Sequence, residues 1–151
     1  MAQWRIGKTR RAKHTETLEQ LLDSTLDSVD SAEALVRQTA AEVGFNEDDL
    51  HDLGMAVREA MVNAVVHGNR YSLKKKVHLN VQQSVDSISV VITDEGEGFE
   101  RTTLPDPLAE ENLLRQSGRG LLLMEAFVDE FQMKRVPPLG TQVKMVKYLK
   151  K

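Results

Sequence analysis

The stretch Glu59-Ala60-Met61-Val62-Asn63-Ala64-Val65-Val66-His67-Gly68-Asn69 decides the fold. With Ala56 and Val57 ahead of it, the run predicts a helix that is apolar nearly all round, and such a helix is buried. Glu59, Asn63 and His67 recur every four residues, so they share one face of that helix. Burying a carboxylate without partners is costly. Either something polar meets this stripe, or the stripe is a solvated seam, or it pairs with backbone groups. His67 is also favoured near a helix C-terminus by the dipole alone. Zinc is a poor match, because Asn63 is a weak ligand for it and no second histidine lies at ligand spacing. Magnesium suits oxygen donors better, taking one or two from protein and the rest from phosphate and water.

On the N-terminal side, Asn46 with Asp49 three residues on predicts the cap of this helix, which should run to about His67 and stop at Gly68. Ala32, Leu35, Val36, Thr39 and Val43 mark a preceding helix that ends at Gly44. Its expected cap is Ser28 or Asp30, and Asp30 with Glu33 has capping-box spacing. Leu18 to Leu26 has strand character. Residues 1–14 are a basic arm carrying Arg5, Lys8, Arg10, Arg11 and Lys13 around Trp4. The arm reads as a flexible, solvated tail or as a segment that contacts a partner or an anion.

On the C-terminal side, Val77, Leu79 and Val81 alternate, as do Ile88, Val90 and Ile92, predicting neighbouring strands. Residues 100–117 are polar and hold Pro105 and Pro107, so they read as a long loop. A helix is expected from Gly120 to about Phe127, a strand around Phe131 and Met133, a turn at Pro137, Pro138 and Gly140, and a last strand through Val143, Met145 and Tyr148. The order predicts an α+β two-layer sandwich: a mixed, mostly antiparallel sheet with helices on one face. Residues 15–151 form its single domain.

Bulk composition agrees. The chain has 151 residues, a length suited to one core. Its net charge of −3 excludes a surface built to coat nucleic acid, so no direct nucleic-acid partner is expected. Without cysteine, disulfides, thiolate metal sites and cysteine nucleophiles are excluded. No apolar run approaches the roughly 20 residues of a membrane helix, and the basic start lacks a signal-peptide core. A cytoplasmic location and no membrane partner are expected.

Two glycine-rich turns carry further chemistry. The strand ending at Thr93 runs into Asp94-Glu95-Gly96-Glu97-Gly98-Phe99. Asp94 can accept a hydrogen bond from a ligand, and Gly96 and Gly98 permit close backbone approach. A plain hairpin turn is the alternative. A Rossmann fingerprint fails because no helix starts here and the third glycine is absent. Further on, Ser117-Gly118-Arg119-Gly120 opens the helix beginning Leu121-Leu122-Leu123-Met124. Free N–H groups at a helix start suit an anion, and Arg119 adds positive charge. A simple loop-to-helix junction capped by Ser117 fits as well.

In order, the chain thus shows a Glu-x-x-x-Asn helix, a strand with Asp-x-Gly-x-Gly, a long loop closing on Gly-x-Gly and a helix, and Gly140-Thr141 before the last strand. This order resembles the N-box and the three glycine boxes of the GHKL (Bergerat-fold) ATPases. Residues 59–69, together with Ser117 to Leu121, Met124-Glu125 and Asp129-Glu130, are similar to the anti-sigma-factor serine kinases of the RsbW and SpoIIAB type. The resemblance covers about Leu18 to Tyr148. It implies an ATP-dependent, Mg²⁺-requiring serine/threonine kinase whose partners are a sigma factor and a STAS-type anti-anti-sigma protein, and which forms a homodimer. It implies that Glu59 is the catalytic base, that Asn63 holds Mg²⁺, and that Asp94 recognises adenine with support from Thr141. Gly96 and Gly98 would pass close to the base, and Gly118, Arg119, Gly120 and Leu121 would line the phosphates. His67 joins the nucleotide-binding set as part of the N-box, and residues 100–117 would be the ATP lid. Sensor kinases of this superfamily often carry a phosphate-binding lysine shortly after the asparagine, where this chain has Val66. Arg119, Arg115 or Arg70 would then supply the charge. A nucleotide-gated binding module without useful catalysis, and a switch kinase that activates a phosphatase, carry the same boxes.

Overall fold

A computed structural model of the protein describes residues 5–8, 15–96, 120–138 and 140–150, and for 5–8, 120 and 121 the backbone alone. The expected loop over residues 100–117 lies outside the described residues, as do Gly98, Gly118 and Arg119.

The elements are β1 (Arg5–Lys8), β2 (Glu16–Asp23), α1 (Leu26–Val43), α2 (Glu47–Val62), β3 (Lys76–Gln83), β4 (Ser87–Thr93), α3 (Gly120–Phe127), β5 (Glu130–Arg135) and β6 (Thr141–Tyr148). Six strands form one sheet in the order β1-β2-β3-β4-β6-β5. Helices α1 and α2 pack on each other, α2 packs on α3, and both α1 and α2 lie against the sheet. The architecture is the expected α+β sandwich, with one correction: among the described residues the sheet is not mixed, since every pairing there is antiparallel. Connectivity explains this. Two helices separate β2 from β3, so the chain returns to the end it left and descends antiparallel. The single helix α3 brings β5 back running the same way as β4, but the tight hairpin that follows inserts β6 between them. Four residues of the basic arm, Arg5 to Lys8, pair with β2 from Glu19 to Glu16 at the edge of the sheet.

The alternation read from sequence sets the inner face. Val77, Leu79 and Val81 of β3, Ile88, Val90 and Ile92 of β4, and Val143 and Met145 of β6 are buried beneath the helices. They meet Val29, Ala32, Val36 and Ala40 of α1, Leu53, Ala56, Val57, Ala60 and Met61 of α2, and Met124 of α3. Fully burying side chains of this size contributes roughly 1.5–3 kcal/mol each.

The helix ends show where local chemistry was and was not legible. Asn46 caps α2 as expected, its side chain accepting from the Asp49 N–H at 2.8 Å. Gly44 ends α1 in the left-handed region at φ 117°. The start of α1 differs from expectation. Thr25 is the cap, with its hydroxyl accepting from the Ser28 N–H, so Ser28 and Asp30 lie inside the helix. Asp30 and Glu33 do not form a capping box. Both carboxylates receive Arg58 of α2, at 2.8 and 2.9 Å. A charged partner across the helix pair thus claims the acidic spacing that resembled a cap.

The largest departure from regular geometry falls on the deciding stretch. Helix α2 does not continue as an α-helix to His67. From Asn63 to Gly68 it widens into a π turn, closed by the Asn69 N–H on the Ala64 carbonyl at 2.8 Å. Such turns underwind a helix and recur at functional sites. Arg70 and Tyr71 follow with positive φ, 51° and 59°.

Candidate functional site

The π turn and the end of β4 meet at Asp94. Three glycines surround it so closely that none could carry a side chain. A Cβ on Gly68 would stand 2.4 Å from the Asp94 Oδ2. One on Gly96 would stand 1.8 Å from the Gly68 carbonyl oxygen, and one on Gly140 would stand 2.3 Å from the Asp94 carbonyl oxygen. Gly140 also has φ +136°, a conformation that favours glycine on its own account. The chain therefore spends three glycines to bring the end of α2, the turn after β4 and the start of β6 into contact around one carboxylate.

Asp94 is 6% exposed. Its Oδ1 accepts from the Gly96 N–H at 3.0 Å and from the Thr141 N–H at 3.2 Å. Its own N–H donates to the Thr141 carbonyl at 3.0 Å. Both bonds to the carboxyl among the described residues fall on Oδ1. Burial outweighs them and pushes the Asp94 pKa up to about 6. The folded state thus binds a proton here more tightly than the unfolded chain does. Stability from this group is fully present below pH 4 and is lost as pH rises through 6, by about 3 kcal/mol at the linkage rate of about 1.36 kcal/mol per pH unit. Urea unfolding of the wild type and of Asp94→Asn across pH 4 to 7 reads this directly. The wild type is expected to lose stability relative to the variant over that window, and parallel pH profiles would refute the assignment.

Glu59 and Asn63 lie one turn apart on α2 and its π extension, and both are half-buried. The fully buried polar stripe expected from the sequence is thus only partly realised, since both side chains keep some contact with solvent. Val62 and Val66, expected to be buried, are half-buried as well. One atom is an exception: the Asn63 Nδ2 is inaccessible to solvent and has no hydrogen-bond partner among the described residues. Leaving such a group unpaired costs about 1–3 kcal/mol, so a polar ligand atom would satisfy it. His67 is exposed on the π turn. Arg70, one of the cations considered for phosphate charge, is exposed just beyond it. Gly120 and Leu121 begin α3, which packs against α2.

Sequence reasoning gave no role to Asn69 or Glu95. Asn69 is 2% exposed and receives the Glu95 N–H on its Oδ1 at 2.8 Å. Glu95 in turn accepts from the Lys76 N–H at 3.1 Å and contacts His78 Nε2 at 2.7 Å. The hydrogen bond from His78 holds the Glu95 carboxyl below its usual range. A polar residue placed directly after a helix-ending glycine was the available signal for Asn69. No local pattern marks Glu95. A broad groove of 1130 Å³ runs past Leu21, His78, Asn80, Thr93 and Gln142 and is lined by none of the candidate residues.

Comparison with known proteins places the chain in a family. The profile of the histidine kinase-like ATPase domain matches residues 22–147. The serine-protein kinase RsbW of Staphylococcus aureus is 33% identical over 130 residues, covering 78% of this chain and 80% of that protein. The RsbW of Staphylococcus epidermidis is 33% identical over 129 residues, with the same coverage. The anti-sigma F factor of Bacillus subtilis is 31% identical over 124 residues, covering 80% of this chain and 84% of its own length. With the profile spanning most of the sequence, and with Asp94 after β4 walled by glycines against the end of the Asn63-bearing helix, the chain belongs to the histidine kinase-like ATPase domain family.

Proposed function

We propose that the Asp94 turn and the α2 end bind Mg-ATP, and that the protein is an anti-sigma factor that phosphorylates a serine or threonine of a STAS-type anti-anti-sigma protein. The observation that carries the reading is the pairing, among the described residues, of a buried carboxylate whose two bonds fall on Oδ1 with a buried Asn63 Nδ2 that has no partner. An adenine nucleotide fits both. The base offers an amino donor to Asp94, and the phosphates with their metal offer partners to Asn63, whose amide presents either end by a flip. The similarity to proteins named as serine-protein kinases and as an anti-sigma factor places the chain among ATP-dependent protein serine/threonine kinases.

In this reading Asp94 accepts from the adenine amino group and the Thr141 backbone holds the carboxylate in place. Gly96 and Gly98 let the chain pass the base, while Gly118, Arg119, Gly120 and Leu121 line the phosphates. Asn63 is the protein ligand for Mg²⁺, and His67 lies beside the nucleotide. Bound Mg-ATP supplies the phosphoryl group and neutralises its charge. Glu59, half-exposed and one turn before Asn63, takes the proton from the attacking hydroxyl and passes it to solvent. A base so placed contributes about 10²–10⁴-fold. The protein sequesters a sigma factor and works as a homodimer, which light scattering of the nucleotide-loaded protein reads directly. No helix among the described residues is long and apolar enough to cross a membrane, in line with a cytoplasmic site of action.

The test is to mix the protein, labelled Mg-ATP and a STAS protein encoded beside it. Stoichiometric label on a serine or threonine of the STAS protein is expected. Normal ATP binding with no transfer would overturn the kinase reading.

A further inference from the structure

Asn69 has no counterpart in the roles assigned so far, yet its side chain is the junction of four segments. It is buried at 2% exposure. Its Oδ1 accepts from the Glu95 N–H at 2.8 Å, just beyond β4. Its Nδ2 donates to Ser24 Oγ at 2.9 Å, just beyond β2, and to the Lys76 carbonyl at 3.0 Å, at the start of β3. Ser24 Oγ donates onward to the Lys75 carbonyl at 2.6 Å. The Asn69 backbone N–H closes the π turn on Ala64. Only an amide can donate and accept in this arrangement: a carboxylate lacks the donor, and glutamine is one methylene too long.

We propose that Asn69 is a positioning residue of the adenine site, fixing the Asp94-Glu95-Gly96 turn against the end of α2 and thereby setting where the Asp94 carboxylate meets the base. This rests on the reading of Asp94 as the adenine acceptor. Asn69 acts through the backbone, one residue from Asp94. The turn it holds is stacked directly on the preceding residue pair, since any Cβ on Gly96 would run into the Gly68 carbonyl. The bond from the Glu95 N–H ties the turn to the end of α2, while Thr141 holds Asp94 from β6 and Lys76 and His78 hold the Glu95 carboxylate from β3. A carboxylate held in place selects an amino donor over a carbonyl, because the wrong base leaves buried polar groups unpaired. A carboxylate on a loosened turn relaxes toward water and loses that discrimination. The structure therefore assigns base selectivity, and not fold alone, to Asn69.

The experiment is a calorimetric titration of ADP and of GDP against the wild type, Asn69→Ala, Ser24→Ala and Asp94→Asn. Asn69→Ala is expected to keep one site per chain, to bind ADP about tenfold more weakly, and to lose most of its preference for ADP over GDP. Ser24→Ala, which removes one partner of the amide, should move both readouts the same way by about two- to threefold. A scaffold role alone would instead lower the number of sites and leave affinity and preference unchanged, and that result overturns the proposal. If Asn69→Ala does not fold, Ser24→Ala decides, and unchanged affinity and preference in it are equally fatal. Asp94→Asn separates the two ideas. Wild-type affinity and preference in Asp94→Asn overturn the adenine reading and this inference together. Their loss in Asp94→Asn, with both retained in Asn69→Ala, overturns the positioning role alone.

Discussion

Glu59→Gln is expected to reduce phosphoryl transfer by about 10²–10⁴-fold, the typical contribution of a positioned general base. Nucleotide affinity should stay within about twofold, because an interaction made only in the transition state leaves binding intact. The substitution keeps the shape of the side chain and removes only its ability to take a proton. Glu59 is half-buried on α2. Asn63 follows one turn later, its buried Nδ2 without a partner among the described residues, which places the base beside the point where phosphates would dock in the proposed reading. Transfer of labelled phosphate to the STAS substrate reads the first effect, and ADP titration reads the second. A glutamine variant that transfers phosphate at the wild-type rate would remove Glu59 from the mechanism.

Gly96→Ala is the second large effect, and its origin is steric. The added methyl would lie 1.8 Å from the Gly68 carbonyl oxygen and 2.2 Å from the Gly68 carbonyl carbon, both backbone atoms. Gly68 has no room to retreat, since its own Cα faces the Asp94 carboxylate. The turn after β4 must therefore move. Overpacking of this kind costs about 1–3 kcal/mol of stability. The Asp94 carboxylate moves with the turn, and nucleotide affinity should fall by about tenfold or more as its hydrogen bond to the base is lost. Gly44→Ala is the control. Gly44 has φ +117° but only the Leu149 Cδ2 within reach, at 3.8 Å. Its substitution should lower stability by about 1 kcal/mol through backbone strain and leave nucleotide affinity alone. Urea unfolding and ADP titration of the two variants distinguish the cases. Equal ADP affinity in Gly96→Ala and the wild type would show that the turn does not build the site.

Much of the fold was legible because its signals are periodic. The alternation of Val77, Leu79 and Val81 and of Ile88, Val90 and Ile92 placed β3 and β4 on the right face, and Asn46 and Gly44 marked their helix ends. The antiparallel character of the whole sheet was less legible, because it depends on β6 inserting between β4 and β5, a contact between distant segments. The first cap was misplaced for a similar reason: Arg58, 25 residues from Glu33, decides what Asp30 and Glu33 do. The site divides the same way. Asp94, Gly96 and Thr141 stood out through residue type and order, and the structure brings all three together. The stripe on α2 was read with a uniform helical period, and the π turn breaks that period after Asn63. Asn69 was quoted within the deciding stretch without a role, since its value comes from Ser24, Lys76 and Glu95, which the sequence does not place beside it.

That Asp94 is the centre of an adenine-nucleotide site is the claim on which the rest depends. Calorimetric titration of Mg-ADP into the wild type and into Asp94→Asn at pH 7 tests it most directly. The account predicts one site per chain in the wild type, with affinity that weakens as pH is lowered through 6 and the carboxylate takes up its proton, and loss of most of that affinity in Asp94→Asn. Binding of equal strength in both proteins, or none in either, would contradict it.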